Sequence, residues 1–356
     1  MSAVSGKYYG RAENFLTLWL LEWNEVYAVI MDAHFDVLLD VLSLRKKGER
    51  RVLERRFQKC LNKAGISGLI CSLYICEEYL PEGALRNALD QISSLREDLA
   101  ESGESFSLCL NSSEARDAEK KGRIAIFLSL EGAEPIGNDI LLLRTFYDLG
   151  VRFLGLTWSR RNYAADGSSF DKADEPRYPG GLTKFGRELV MKAQELGMVV
   201  DVSHLNDPGF YEVAEIMKTP FIASHSNCRS LCGSARNLKD DQIRLISDSG
   251  GVVGLNAYSP FVSDDPAERN TDKFFKHLVH IAETGGIKSA GLGLDLCDCI
   301  GALNISDENS ADRDLFKDHM DAAERFIFPL REKLSPDDYA AVTGGNFMRV
   351  IERVLG

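Results

Sequence analysis

The chain lacks the features that would mark a membrane-spanning or nucleic-acid-binding protein. No hydrophobic run reaches the roughly 18–20 residues of a transmembrane helix, so we expect no membrane partner. Lys and Arg total 42 against 54 Asp and Glu, which gives a formal net charge of −12. A nucleic-acid surface needs clustered basic residues, and this balance argues against such a partner.

The sequence also lacks paired cysteine spacings. Its eight cysteines form neither a zinc-ribbon pattern nor a disulfide framework, which favours reduced thiols and a cytoplasmic location. An apolar run over residues 15–21 loosely resembles a signal peptide, but Glu22 and Glu25 follow it at once and no small-residue cleavage site is present. We therefore expect residues 1–25 to be an N-terminal extension.

Strand-like and helix-like segments alternate through the rest of the chain. Eight short apolar or β-branched runs are predicted as strands, over residues 26–31, 67–74, 124–130, 151–156, 198–202, 221–223, 251–256 and 290–294. Such alternation indicates a parallel sheet buried on both faces. Eight units in this length predict one α/β domain over residues 26–356, a (β/α)8 TIM barrel with extra C-terminal helices.

An open, doubly wound sheet is the rival architecture. No glycine-rich fingerprint follows its first strand, which removes the usual dinucleotide-binding interpretation. Helices are predicted over residues 37–64, 83–99, 182–196 and 212–218, where apolar residues recur near every 3.6 positions. Asp207 before Pro208, and Ser335 before Pro336, are predicted as helix N-caps.

Metal-ligand side chains follow five of the eight predicted strands. In a barrel the functional residues lie at the carboxyl ends of the strands, so these side chains are expected to converge. Imidazole and carboxylate groups together suit zinc or a neighbouring divalent ion. The residues are His34 and Asp36 after the first strand, Glu131 after the third, His204 after the fifth, His225 after the sixth and Asp295 after the eighth.

Each of these residues has an ordinary structural explanation when taken alone. A single histidine after a strand is more often a hydrogen-bonded loop residue, Glu131 could be a salt-bridge partner, and Asp295 could cap a helix. Asp201, three residues before His204, could hold a loop or orient a ligand. Chance rarely places a ligand-type residue at five strand ends, so the joint pattern favours a metal site.

Several segments resemble the renal (membrane) dipeptidase family of the amidohydrolase superfamily, from about Met31 to Leu355. They follow the family's order and spacing. The segments are Gly181-Leu-Thr-Lys-Phe-Gly186, Met198-Val-Val-Asp-Val-Ser-His204, Ala223-Ser-His225-Ser, Ala235-Arg236-Asn237-Leu and Gly344-Gly-Asn-Phe.

The resemblance implies a (β/α)8 TIM barrel of the metal-dependent hydrolase type with two divalent ions, most simply Zn²⁺. His34 and Asp36 would bind one ion, His204 and His225 the other, and Glu131 both. A bridging hydroxide, activated because the ions lower the pKa of a water, would attack a peptide carbonyl.

The resemblance also implies a proton-transfer role for Asp295 and a substrate contact for Arg236. Asp295 would pass the proton to the leaving amine. Arg236 would bind the terminal carboxylate of a dipeptide through its planar fork, although a surface ion pair is the ordinary alternative. A homodimer is common in the family.

Two positions depart from the family pattern. Trp158 stands where many members have a histidine that stabilises the oxyanion, and an indole N–H can donate a hydrogen bond but carries no charge. We expect Trp158 to contact substrate, with Asn162 or the adjacent Arg160 and Arg161 compensating from the next turn. Cys297 and Cys299 follow Asp295; they could be additional soft metal ligands, but we expect them to be spectator thiols.

The sequence therefore predicts a binuclear-metal dipeptidase that acts on small dipeptides. Another amidohydrolase, such as an N-acyl amino acid hydrolase or a lactonase, would use the same ions against a different electrophile. A non-catalytic barrel homologue is the alternative from another class, and Trp158 is the feature that keeps it open.

Overall fold

A computed structural model describes residues 29–102, 104–170, 176–303 and 313–356. Eight strands lie in this part of the chain, and every pairing between them is parallel. They are β1 Ile30–Phe35, β2 Ile66–Tyr74, β3 Phe106–Leu108, β4 Ile124–Glu131, β5 Val151–Gly155, β6 Val199–Asp201, β7 Val253–Leu255 and β8 Ala290–Leu292.

Seven of these strands, all except β3, close together with residues 222–223 into a (β/α)8 TIM barrel, which confirms the predicted fold class. The sheet runs β1-β2-β4-β5-β6, and β7 pairs with β8. Residues 222–223 take the place between β6 and β7 through the parallel bridges Asp201↔Ile222 and Ala223↔Val253. The backbone N–H of Asp295 donates to the carbonyl of His34 at 3.3 Å, which joins the segment after β8 to β1.

Helices surround the strands. They are α1 Val37–Lys46, α2 Lys59–Lys63, α3 Ala84–Glu101, α4 Ser112–Lys120, α5 Leu141–Asp148, α6 Lys184–Glu195, α7 Asp207–Ile216, α8 Asp240–Ser249, α9 Thr271–Gly285, α10 His319–Ala322, α11 Leu330–Lys333, α12 Pro336–Ala340 and α13 Asn346–Leu355. π-Helical turns extend α2, α10 and α12, at Leu53–Gln58, Ala323–Ile327 and Ala341–Gly345. Short 3-10 turns lie at Glu77–Tyr79, Glu134–Ile136, Ser259–Phe261, Pro266–Glu268, Ile287–Ser289 and Gly301–Leu303.

The C-terminal helix α13 closes the amino-terminal end of the barrel. Phe347, Val350 and Ile351 are buried against the side chains that fill the barrel interior, among them Phe127 and Phe153. The Asn346 side chain donates to the Ala290 carbonyl at the start of β8 (2.8 Å). Because this end is plugged, the open end of the barrel is the one at which the strands finish.

Several predicted elements differ from the structure. The first strand is Ile30–Phe35 rather than residues 26–31, of which 26–28 lie outside the described residues. The predicted helix over residues 37–64 is wrong as one element, because it is interrupted near Gly48, which has a φ of +93° that favours glycine. The strand β3 was not predicted; it pairs only with the first residues of β4.

The two predicted N-caps have opposite outcomes. Ser335 is the N-cap of α12, and its hydroxyl accepts from the N–H of Asp338 at 3.2 Å. The N-cap of α7 is Asn206 and not Asp207, because the Asn206 side chain accepts from Gly209 N at 3.0 Å.

The cysteines carry no disulfide: all eight are free thiols. In the described part of the chain, no helix combines the length and the apolar character needed to cross a bilayer. The predicted extension over residues 1–25 lies outside the described residues, and it stays a prediction together with the cytoplasmic location.

Candidate metal centre

The predicted metal ligands meet at the carboxyl-terminal end of the barrel. Parallel strands all finish at this end, so residues far apart in the chain become neighbours. All of the following are buried except Asp295, which is partly exposed: His34 and Asp36 at the end of β1, Glu131 at the end of β4, His204 after β6, His225 after residues 222–223, and Asp295 after β8.

One half of the site is built by His34, Asp36 and Asp295. The Nε2 atom of His34 lies 3.7 Å from Asp36 Oδ1 and 3.8 Å from Asp295 Oδ1. One ligand atom from each residue lies within 4.8 Å of the others. These distances are too long for hydrogen bonds, and the buried Nε2 of His34 has no hydrogen-bond partner. A cation held between the three groups would satisfy it.

The other half is built by His204 and His225, whose Nε2 atoms are 2.8 Å apart. The opposite ring nitrogens are held by hydroxyls: Nδ1 of His204 lies 2.8 Å from Ser159 Oγ, and Nδ1 of His225 lies 2.7 Å from Ser224 Oγ. When each Nδ1–H donates to its hydroxyl, both Nε2 atoms present lone pairs to one another. This is the arrangement by which outer residues orient histidines toward a metal.

Glu131 lies between the two halves. Its Oε1 is 3.1 Å from His204 Nε2 and 3.9 Å from His225 Nε2, whereas its Oε2 is 3.5 Å from His34 Nε2. The buried Oε2 has no hydrogen-bond partner. One carboxylate therefore presents one oxygen to each half of the site.

The electrostatics of the cluster show crowded negative charge. Burial alone would lower the pKa of His34, but the carboxylates of Glu131, Asp36 and Asp295 raise it to about 10. Burial, and then the charge of Glu131, raises the pKa of Asp36. Burial also raises the pKa of Asp295. A divalent cation between these groups would relieve the repulsion among the carboxylates.

His204 and His225, in the other half of the site, are held neutral. Burial, assisted by the positive charge of Arg236, lowers the pKa of His204 to about 3. Burial and the neighbouring charge of His34 lower the pKa of His225 well below its ordinary value. Neutral imidazole is the form that binds a metal, so His204 and His225 are in the binding form, whereas an ion at His34 would displace its proton. The donor set and its unpartnered buried atoms therefore fit divalent metal ions.

Buried polar residues outside the predicted ligand set support this cluster. Asp201 accepts the backbone N–H groups of Ser203 and Ser224, each at 2.9 Å, and the Ser224 hydroxyl donates to it as well. These hydrogen bonds fix the backbone before His204 and His225. The structure therefore confirms that Asp201 holds a loop, which is one of the two roles considered for it. In the sequence, the signal for this supporting role was an aspartate three residues before a predicted ligand.

Asp32 has the corresponding role beneath the first half of the site. It accepts the N–H of His34 at 3.3 Å and of Leu294 at 2.7 Å, and its other oxygen pairs with His319 Nε2 at 2.8 Å. Asp295, next along the chain, is held by the Asn256 side chain at 2.9 Å. Asp32 lies two residues before His34 in β1, which is a signal for a polar residue on the same strand face.

Backbone strain is concentrated at the site. Among the described residues, three that are not glycine have positive φ, and two of them are His204 (+66°) and Asp295 (+56°). L-residues rarely adopt this conformation, and it persists where surrounding contacts enforce it. Both turns direct a site side chain inward at the end of a strand.

The three predicted substrate-binding residues, Trp158, Arg236 and Asn162, have three different environments in the structure. Trp158 lines the open cavity beside the predicted metal ligands and lies over His204, with ring centroids 5.7 Å apart. Arg236 is buried beside the site, and its guanidinium donates to Ser226 Oγ and to the His225 carbonyl, each at 2.9 Å. Its Nε has no hydrogen-bond partner.

Asn162 is occupied within its own loop. Its side chain donates to the Leu156 carbonyl at 2.8 Å and accepts from the N–H groups of Ala164 and Ala165. It is not among the described residues that line the cavity, and its predicted substrate contact stays a prediction. The two nearby arginines are also engaged: Arg160 pairs with Glu134 at 2.8 Å, and Arg161 pairs with Asp166.

A parallel barrel that gathers three histidines and three carboxylates at its carboxyl-terminal end defines a metal-dependent hydrolase of the amidohydrolase type. Residues 25–355 match the family model of the membrane dipeptidases, peptidase family M19. The chain belongs to this family, and with it to the metal-dependent dipeptidases.

Solved structures of the family are similar over nearly the whole chain. A family M19 metallopeptidase called dipeptidase AC superposes with a TM-score of 0.81 at 26% identity, covering 92% of this chain and 99% of that one. A metallopeptidase from Rhodobacter sphaeroides, liganded with a phosphinate mimic of the dipeptide L-Ala-D-Ala, gives a TM-score of 0.81 at 25% identity with the same coverage. An uncharacterised protein in the PQQ-III 3′ region of Acinetobacter calcoaceticus is 32% identical over 198 residues, which are 55% of this chain and 62% of that protein.

Proposed function

We propose that the protein hydrolyses the peptide bond of small dipeptides with a pair of divalent ions, most simply zinc. The observation that carries this proposal is the position of Glu131, which presents one oxygen to His34 and the other to His204 and His225. A shared anionic ligand is what two neighbouring cations require. His34 and Asp36 would hold one ion, and His204 and His225 the other.

The ions, when bound, would supply an activated water as nucleophile and polarise the scissile carbonyl. The protein's own groups then have defined tasks. Asp295 lies on the cavity wall, with Oδ2 held by the Asn256 side chain and Oδ1 3.5 Å from the Cys297 thiol. Its carboxylate would take the proton of the nucleophile and deliver it to the leaving amine.

Arg236 would bind the carboxylate of the C-terminal residue. Its Nε is buried and unpartnered, while the two terminal nitrogens are fixed by Ser226 and His225, so the guanidinium is already ordered before substrate arrives. A fixed cation close to the reacting bond favours a free C-terminus one residue away, which is the property of a dipeptide.

The test is metal quantification followed by a substrate panel of dipeptides, lactones and N-acyl amino acids. We expect about two ions per chain and hydrolysis of dipeptides. His204→Ala should lose about one ion and all hydrolysis, and Arg236→Ala should raise KM more for dipeptides than for their C-terminal amides. Turnover confined to lactones or N-acyl amino acids would replace the proposed substrate class, and a metal-loaded protein without turnover would make it a non-catalytic homologue.

A further inference from the structure

A cavity of about 400 Å³ opens over the metal ligands, and one of its walls is aromatic. Asp36, Glu131, His204 and Asp295 lie among its lining residues, so a molecule in the cavity reaches the proposed reaction centre. Its size is that of a small-ligand site. The rings that line it, here called the aromatic wall, are Tyr74, Trp158, Phe170, Phe261 and Tyr258.

The five rings of the aromatic wall are in continuous contact. Neighbouring centroids are 5.6 Å apart for Tyr74 and Trp158 and 5.1 Å for Trp158 and Phe170. They are 5.6 Å apart for Phe170 and Phe261 and 5.0 Å for Phe261 and Tyr258. These separations are typical of favourable aromatic pairs. The wall is therefore one apolar surface and not a set of scattered rings.

Two neighbouring rings of this surface, Tyr74 and Trp158, are in contact with an arginine. The Arg160 guanidinium lies 5.0 Å from the centre of the Trp158 ring and 5.7 Å from that of Tyr74. Arg160 is itself fixed by Glu134 at 2.8 Å and by the Ile75 carbonyl at 2.9 Å. Because these two rings are held before a ligand arrives, ordering them on binding costs little free energy.

The rest of the cavity has the opposite character. Asp298 and Asp314 line it together with the carboxylates at the reaction centre, and its described lining residues include no Lys or Arg. A charged substrate side chain placed against the aromatic wall would lose its hydration without gaining a polar partner there. An apolar side chain would instead gain the burial of its surface against the aromatic wall.

We propose that the aromatic wall makes this site selective for dipeptides with a bulky apolar side chain, and that Trp158 and Phe170 are specificity-determining residues. The proposal rests on the dipeptidase function proposed above. Phe170 is the better position to test, because its ring is 47% exposed and contributes little to the core, whereas Trp158 also packs on a metal ligand.

The experiment compares kcat/KM of the zinc-loaded enzyme for Gly-Phe, Phe-Gly, Ala-Ala and Gly-Glu. We expect at least one phenylalanine dipeptide to exceed Ala-Ala by about tenfold or more, and Gly-Glu to be the poorest substrate. Phe170→Ala should lower the preference for phenylalanine about tenfold and change Ala-Ala by less than about threefold, whereas Phe170→Leu should retain most of it. Tyr178→Ala is the matched control, since Tyr178 is 79% exposed and lies outside the described lining.

Calorimetry with phosphinate mimics of Ala-Ala and of the preferred phenylalanine dipeptide measures the same selectivity without turnover. Tighter binding of the phenylalanine mimic, lost in Phe170→Ala, supports the aromatic wall even if no dipeptide is hydrolysed, in which case the proposed function alone fails. Hydrolysis of Ala-Ala or Gly-Glu as fast as the phenylalanine dipeptides, or equal effects of Phe170→Ala and Tyr178→Ala, would overturn the proposal.

Discussion

The hydroxyl of Ser159 should control the affinity of one of the two proposed metal positions. It lies 2.8 Å from Nδ1 of His204, and the facing Nε2 of that ring is directed at His225 and Glu131. Ser159→Ala removes the hydroxyl with almost no change of volume. The ring then keeps a buried polar nitrogen without a partner and no longer has its tautomer fixed by a hydrogen bond.

The expected loss follows from two independent magnitudes. An unpartnered buried polar group costs about 1–3 kcal/mol. Loss of an outer partner of a metal-bound histidine typically weakens metal binding about 10–100-fold, which corresponds to about 1.4–2.7 kcal/mol. Trp158 still packs on the His204 ring, with the two planes 29° apart, and keeps it in place. We therefore expect the lower end, about tenfold, at the position formed by His204 and His225.

The measurement is a zinc titration against a competing chelator dye. Ser159→Ala should show one position of unchanged affinity and one that is about tenfold weaker. Ser168→Ala is the matched control, because its hydroxyl donates to the Leu205 carbonyl at 3.1 Å, in the same region, without touching an imidazole. The reasoning is refuted if both variants weaken zinc equally, or if Ser159→Ala weakens both positions alike.

Three further predictions address the bridge, the stability and the barrel. Glu131→Gln should hold at most one ion per chain and lose at least about 100-fold in kcat, and retention of two ions by elemental analysis would contradict the bridging role. Burial lowers the pKa of His277 from 6.5 to about 4, so the unfolded chain takes up a proton first as the pH falls. The free energy of unfolding should therefore decrease by about 3 kcal/mol between about pH 6.5 and pH 4; urea unfolding of His277→Gln should lack this component, and an unchanged pH profile would be the contrary result. A Cβ on Gly293 would overlap the Ser224 carbonyl oxygen. Gly293→Ala should therefore destabilise the protein by about 1–3 kcal/mol and weaken zinc binding at His225. A wild-type melting temperature and zinc affinity would show instead that the backbone of the barrel shifts to accommodate the methyl group.

The order of elements and the ligand types could be predicted from the sequence because both are local properties. Apolar runs such as residues 124–130 carry the strand signal within a few positions, and His204 follows its strand within three residues. A barrel brings all strand ends to one side, so the ligand set follows once the alternation of strands and helices is recognised. The first strand was predicted too early in the chain because the prediction relied on apolar residues. Asp32 and His34 are polar but buried inside β1, where hydrogen bonds from other segments, such as that from Leu294, satisfy them.

Only the tertiary structure decided which side chains support the ligands and which form the cavity. Asp32 and His319 are 287 positions apart and meet as a buried pair. The aromatic wall joins rings from Tyr74 to Tyr258, and no spacing in the chain announces that they share one surface. Asn162 was predicted to contact substrate, yet its side chain is hydrogen-bonded to backbone groups of its own loop. Local sequence fixes which groups a strand end offers, whereas the closure of the barrel fixes which of them face one another, because only closure sets their distances.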